Sequence, residues 1–228
     1  MRYWEIDFAR GAAVIAMVVF NWSFALQYLG VYNLTGSWLF WQILPRIIGG
    51  AFIFIAGISL WLSYSRNASA GRHLLRGSKI FLIGVGITAA TWLAFPSDFI
   101  IFGILHLIGL SVIVGCFLVK LSAKALAALS AVIIATGVLL QTQTFTFPYL
   151  LWLGFIPAGF TTFDYFPVAP WLGVFVAGIA FGKKFYAKRS SGSKRGVACL
   201  EFLGRHSLAI YIIHQPLLLA ALFSMGLL

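Results

Sequence analysis

Apolar residues along this chain gather into seven runs, at roughly 9–30, 43–64, 76–95, 99–119, 124–142, 168–186 and 206–225. Short stretches between the runs hold nearly all the charge. A helix rising about 1.5 Å per residue needs roughly 20 residues to cross about 30 Å of hydrocarbon, and the runs approach that length. A transmembrane barrel would show short segments of alternating polarity instead. The pattern predicts an all-α, polytopic helical membrane bundle of about seven transmembrane helices, forming a single domain over residues 1–228. A further apolar stretch, FPYLLWLGFIPAGF at 147–160, is too short to span. Its prolines and glycines predict an interfacial or re-entrant segment between the fifth and sixth spans.

Composition supports the membrane class. Of 228 residues, 61% are hydrophobic and only 9% charged, while the formal charge is +11. In a soluble protein that charge would suggest nucleic acid; here it reads as topology, with membrane lipid as the partner and no nucleic acid. With the N-terminus in the cytoplasm, every Lys and Arg except Arg46 falls at or near the inner face: Arg2, Arg10, Arg66, Arg72, Arg76, Lys79, Lys120, Lys124, Lys183, Lys184, Lys188, Arg189, Lys194, Arg195 and Arg205. The opposite orientation reverses this bias, so the expectation is a multi-pass protein of the cell membrane, N-terminus in and C-terminus out. The start, MRYWEIDFARG, reads as mature protein rather than a signal peptide. The "NLT" sequon at Asn33 falls outside and "NAS" at Asn67 in the cytoplasm. AKRSSGSKRG, around Gly192, marks one flexible linker. Cys116 and Cys199 are far apart with no metal-ligand spacing, so inert thiols and no metal are expected.

Polar side chains inside hydrocarbon are costly and therefore informative. Asn21 lies on the first span, His106 on the fourth, and His214 with Gln215 near the middle of the seventh. Polar groups on three helices can converge on one cavity. Pro216 lacks an N–H, leaves the Ile212 carbonyl without its helical partner and kinks the helix. In FGILHLIGLS, Gly103 and Gly109 flank His106 and lower the wall around it, so that another helix or a ligand approaches closely. The plainer alternative for each of these residues is a hydrogen bond between helices.

At the cytoplasmic end, Asp7 and Arg10 are three residues apart and can pair on one side of a helix start. The alternative is a surface for a phosphorylated ligand built from Arg10, Arg205, His206 and the basic second loop, a face whose charge attracts anionic lipid as well. Outside, Arg46, Asp98 and Asp164 are the only charges; with the PYLLWLGFIP segment and Trp171 they can line an entry for a polar acceptor, or else stand as solvated loop residues. Ala169, Gly173, Ala177, Gly178 and Gly182 predict a close-packed helix face. Trp38, Trp41, Trp92 and Tyr165 read as interfacial anchors.

The order of RYWEIDFARGAAVIAMVVFN, FIFIAGISL, FGILHLIGLS, DYFPVAPWLGVFVAGIAFG and FLGRHSLAIYIIHQP resembles the heparan-alpha-glucosaminide N-acetyltransferase catalytic-domain family in its short prokaryotic form. The resemblance implies a membrane enzyme that takes acetyl groups from cytosolic acetyl-CoA and passes them to an amino sugar on the far side. It maps a DxxRGxA pattern onto Asp7, Arg10, Gly11 and Ala13, and family Asn/His and His positions onto Asn21 and His214. The characterised enzyme also carries a histidine before its second span, where GVYNLTGSWLFWQ has none. Either His106 or His214 takes that role, or this member does something else.

The expectation is an acyl-CoA-dependent acyltransferase in which His214 is the general base, with Asn21 and His106 orienting the reacting groups. Asp7, Arg10, Arg205 and His206 would hold CoA, while Arg46, Asp164, Trp171 and Gln215 would meet the acceptor. Acetyl-CoA is the co-substrate, no cofactor is held permanently, and a homo-oligomer is compatible with the sequence. The alternative is a transporter or small-molecule binding protein that uses the same polar cavity without catalysis. A retinal photoreceptor is poorly supported, because the last span has no lysine.

Overall fold

The computed structural model describes residues 3–33, 36–187 and 197–227. Arg2, Lys188, Arg189, Lys194, Arg195, the linker around Gly192 and the Leu34–Thr35 part of the outer sequon lie outside those residues. Among the described residues eight α-helices follow one another: α1 (Trp4–Tyr28), α2 (Leu44–Arg66, entered through a π-helical turn at Leu39–Ile43), α3 (Ala70–Ala94), α4 (Ile104–Leu118), α5 (Ala123–Gln141), α6 (Val168–Phe185), α7 (Ala198–Arg205) and α8 (Ser207–Ser224). No strand occurs among the described residues, and six helices are long and apolar enough to cross a membrane. The protein is an all-α helical membrane bundle. The eighth helix is α7, a short amphipathic element in what the sequence presents as a basic loop.

Backbone contacts gather these helices into two compact units. The first joins residues 1–52 to 190–228, and the second comprises residues 53–189, with α2 running from one into the other.

In the first unit α1 packs on α7 and α8. The α1–α7 crossing is a backbone-on-backbone contact. A Cβ on Gly11 would fall on the Leu200 carbonyl, and one on Gly204 would fall on the Asp7 carbonyl. The glycine of the DxxRGxA pattern is therefore required by packing: any side chain there pushes α7 off α1.

In the second unit α3 lies against α4 and α5 against α6. Gly77 and Gly109 allow the first of these approaches, since a Cβ on either meets the facing helix backbone. Gly109 thus lowers the wall beside His106 for a helix, α3, rather than for a ligand. The small residues of α6 serve two seams instead of one face. Gly173 meets the Ser130 carbonyl of α5, whereas Gly178 meets Phe54 of α2. The largest fully buried side chains, Phe175, Ile53, Leu107, Leu126 and Ile179, all belong to this unit.

The fourth span differs most from the sequence expectation. It starts at Ile104 rather than near 99, because the backbone of the preceding loop is bonded sideways to the 162–166 loop. Thr162 Oγ1 donates to the Phe99 carbonyl at 2.7 Å, and the Phe166 amide to Phe102 at 3.0 Å. The resulting 15-residue helix is only about 22 Å long. Charged side chains close both of its ends: Asp164 Oδ2 accepts from the Ile104 amide at 2.9 Å, and Lys183 Nζ donates to Val119 and Leu121 carbonyls at 3.2 and 2.7 Å. An anion at the N-terminus and a cation at the C-terminus also suit the helix dipole.

The 147–160 segment is a folded loop with a 3-10 turn at Leu151–Leu153, packed by the rings of Phe145, Phe147 and Phe155. Trp38 and Trp92 are exposed, as anchors would be. Tyr165 is not: burial pushes its phenol well above the ordinary value, and the protonated hydroxyl donates to the Leu151 carbonyl at 2.7 Å. Cys116 is buried and Cys199 exposed, both as free thiols.

Two outcomes follow for purified protein in detergent. Gly204→Val lowers stability by at least about 1–3 kcal/mol, the usual effect of overpacking, read as a fall in the thermal midpoint. Asp164→Ala removes the α4 cap and lowers stability by about 0.5–2 kcal/mol, whereas Asp164→Asn, which keeps an acceptor, recovers most of the loss.

Candidate active site

Of three buried histidines, His73, His106 and His214, the last two stand in the apolar part of the helices, and each sits in a different unit. In the first unit, α1 and α8 bring Asn21 against His214, 193 residues apart in sequence. His214 is 5% exposed. Its Nδ1 lies 2.7 Å from the Tyr211 carbonyl and 3.1 Å from the Ile210 carbonyl. Carbonyls only accept, so Nδ1 carries the ring proton and Nε2 keeps its lone pair. The Asn21 side-chain amide donates to that lone pair at 3.1 Å.

Neighbours hold the pair in place. Gln215 Nε2 donates to the backbone carbonyl of Asn21 at 3.3 Å, and Trp22 Nε1 donates to the carbonyl of His214 at 3.1 Å. The extra hydrogen bond near Pro216 therefore reaches the histidine's own carbonyl, two residues on from the Ile212 carbonyl singled out by the sequence. Side chains and carbonyls of α1 and α8 are thus laced together where the helix lacks an N–H. Nothing in the sequence marks Trp22 as a site residue, although an indole N–H beside Asn21 needs an acceptor once it enters apolar surroundings.

In the second unit, His106 is 4% exposed and occupies the first turn of α4. Its Nδ1 accepts from the Gly103 amide at 3.3 Å, so the proton resides on Nε2, which points to Thr88 Oγ1 at 3.3 Å. The ring is held edge-on to Phe81 and stacked on Phe102, with centroids 5.4 Å away in both cases. Gly84 lets α3 close over the imidazole, since a Cβ there would lie 3.0 Å from Nδ1. Thr88 and Gly84 escape a reading of the sequence, because each sits inside an apolar helical run with nothing to mark its partner. His73, at the basic start of α3, is equally unmarked. It is 2% exposed, with Nε2 3.3 Å from the Asn67 carbonyl.

At the far end of α1, Arg10 pairs with Asp7 at 3.2 Å and donates to the Gly204 carbonyl at 3.4 Å. Arg205, about half exposed, bridges Glu201 at 2.8 Å and reaches Asp7 at 3.9 Å. His206 is exposed, with Nδ1 donating to the Phe202 carbonyl at 2.9 Å. Asp7 and Arg10 thereby form the latch between α1 and α7, beside the Gly11 and Gly204 contact. Of the residues expected to meet the acceptor, Arg46 is bonded to Gln42 one turn earlier, Asp164 caps α4, and Trp171 packs on Phe166 with centroids 4.9 Å apart. Among the described residues no three His, Cys, Asp or Glu side chains gather as metal ligands do.

The family model described as heparan-alpha-glucosaminide N-acetyltransferase, catalytic, matches residues 2–216. The chain belongs to this family. It is an acetyltransferase-type membrane enzyme. No curated protein and no solved structure matches the chain. The stretch matched to the N-acetyltransferase family ends two residues beyond His214, so it contains both the Asn21–His214 pair and the Asp7–Arg10 latch.

The latch is open to a double-mutant cycle. Asp7→Asn and Arg10→Gln each lower the thermal midpoint, and together they lower it by less than the sum, with a coupling of about 0.5–3 kcal/mol as for other groups in direct contact.

Proposed function

We propose that the protein transfers an acyl group, most simply acetyl, from acyl-CoA to a hydroxyl or amine acceptor, with His214 Nε2 as the general base. The observation that carries this reading is the Asn21–His214 pair: backbone carbonyls hold the proton on Nδ1, leaving Nε2 basic next to an amide donor. Nε2 takes the proton from the acceptor, whose oxygen or nitrogen attacks the thioester carbonyl. The Asn21 amide, released from Nε2 as the acceptor occupies it, donates to the oxyanion of the tetrahedral intermediate. The carbon–sulfur bond then breaks, and imidazolium Nε2–H returns the proton to the CoA sulfur. Gln215 and Trp22 keep the two helices in register during these steps.

His106 serves less well as the base, because its unprotonated nitrogen is held by a backbone amide, that of Gly103, which cannot turn away as the Asn21 side chain can. CoA enters from the cytoplasmic side in an N-in, C-out topology, in line with the distribution of Lys and Arg. Arg205 and His206, both exposed, meet its phosphates, while Asp7 and Arg10 fix the helix end that presents them. His214 lies about 12 Å of helix rise beyond His206, a distance the extended pantetheine arm of CoA covers.

Purified protein supplied with labelled acetyl-CoA and glucosamine as a probe acceptor tests the reading. His214→Gln lowers turnover by about 10²–10⁴, the range for loss of a general base. Asn21→Leu lowers it by about 10²–10³, as for loss of an oxyanion donor. Wild-type turnover in His214→Gln would remove the histidine from the mechanism. CoA alone raises the thermal midpoint of the wild type, and Arg205→Ala shrinks that rise. A protein indifferent to CoA in both assays would favour transport or binding without catalysis.

A further inference from the structure

The second unit holds a cavity of about 560 Å³ that the transfer chemistry does not use. Its size falls within the roughly 300–1,000 Å³ of small-molecule sites. Val85 and Thr88 of α3, Phe102, His106 of α4 and the loop residues Tyr149 and Trp152 are among its walls, and no charged side chain lines it. Tyr149 and Trp152 are 82% and 43% exposed, and the loop that carries them is the segment whose composition suits the membrane interface.

On the helix side one polar device interrupts this apolar lining, and on the loop side Tyr149 and Trp152 add a phenol O–H and an indole N–H. The Gly103 amide fixes the His106 proton on Nε2, which donates to Thr88 Oγ1. The Thr88 hydroxyl therefore accepts from the imidazole, and its own hydrogen has no acceptor among the described residues. Thr91, three residues on, behaves differently and returns its hydroxyl to the Ile87 carbonyl. An apolar chamber whose donors, the Thr88 hydroxyl and the O–H and N–H of the loop residues Tyr149 and Trp152, are all neutral takes a ligand that is itself mostly hydrocarbon and carries an uncharged acceptor. An ionised head would lose its hydration with no counter-charge to meet it.

We propose that this cavity binds the hydrocarbon chain of a neutral lipid, with the Thr88 hydroxyl donating to the hydroxyl or ester oxygen of its head. His106 acts through Thr88 as a positioning residue: with Nε2–H given to Oγ1, the Thr88 proton is turned towards the ligand. The site is distinct from the Asn21–His214 pair and does not depend on the acyl-transfer reading.

The test uses the full chain in detergent micelles and a long-chain primary alcohol that carries a diazirine in its tail. On irradiation, labelling of peptides covering residues 81–88 and 148–152 saturates, and unlabelled alcohol of the same length competes. The matching fatty acid, ionised at pH 8, competes at least about ten-fold less well. Val85→Trp, at a partly exposed wall position, fills the chamber and cuts labelling at least ten-fold while the thermal midpoint is kept. Thr88→Val weakens competition by the alcohol about two- to ten-fold, the range for one net hydrogen bond, and Thr88→Ser restores it. If Val85→Trp does not fold, the Thr88→Val and Thr88→Ser pair decides the matter. Labelling that rises without saturation, persists in both Val85→Trp and Thr88→Val, or is competed equally by the fatty acid would show only the general lipid annulus and overturn the proposal.

Discussion

A helix that stops short of a full span leaves terminal N–H and C=O groups where water is scarce, and α4 is such a helix. Its 15 residues cannot reach both faces of a bilayer. The second unit is organised around supplying what α4 lacks. Asp164 comes from the loop before α6 to take the first amide, and Lys183 comes from the last turn of α6 to take the carbonyl of the C-cap residue Val119 and that of Leu121 just beyond. The same stretch of chain, from Thr162 to Lys183, thus closes α4 at both ends and fixes its tilt against α6. Because α4 is set in this way, His106 in its first turn faces Thr88 and Phe81 of α3.

His214 and His106, both buried, show how backbone decides side-chain chemistry. His214 meets carbonyls at Nδ1, and His106 meets an amide at the same atom. The first is thereby made a base at Nε2, the second a donor there. Identical rings in comparably apolar surroundings acquire opposite capacities because one sits inside a helix, over the carbonyls of the preceding turn, and the other at a helix start, over free amides. A count of intramembrane histidines does not distinguish the two. Their position relative to the helix end does.

Much of this is legible in the chain. The spans follow from hydrocarbon thickness, and Asn21, His214 and Gln215 stand out because polar groups in apolar runs are expensive. The Asp7–Arg10 pair follows from helical spacing and is present. Other features depend on contacts that no local pattern encodes. The 99–103 stretch is apolar enough to read as helix, and only the 162–166 loop bonded to it shows otherwise. In the sequence Lys183 is one more inner-face cation, and its work at the end of α4 depends on how α6 packs. Gly11 is a motif letter until the Leu200 carbonyl is seen against it.

The first unit is assembled from the two ends of the chain, with residues 53–189 made in between. Synthesis proceeds at about 5–20 residues per second, so Asn21 and Trp22 emerge roughly 10–40 s before His214 exists to receive them. Through that interval α1 sits in the bilayer with an amide and an indole N–H in need of acceptors, and its glycine face uncovered at Gly11. Of the described helices, α1 is made before the others and is among the last to find its partners. Whatever shelters it in the meantime, a lipid headgroup or the insertion machinery itself, is as much a requirement of this sequence as any contact in the finished fold.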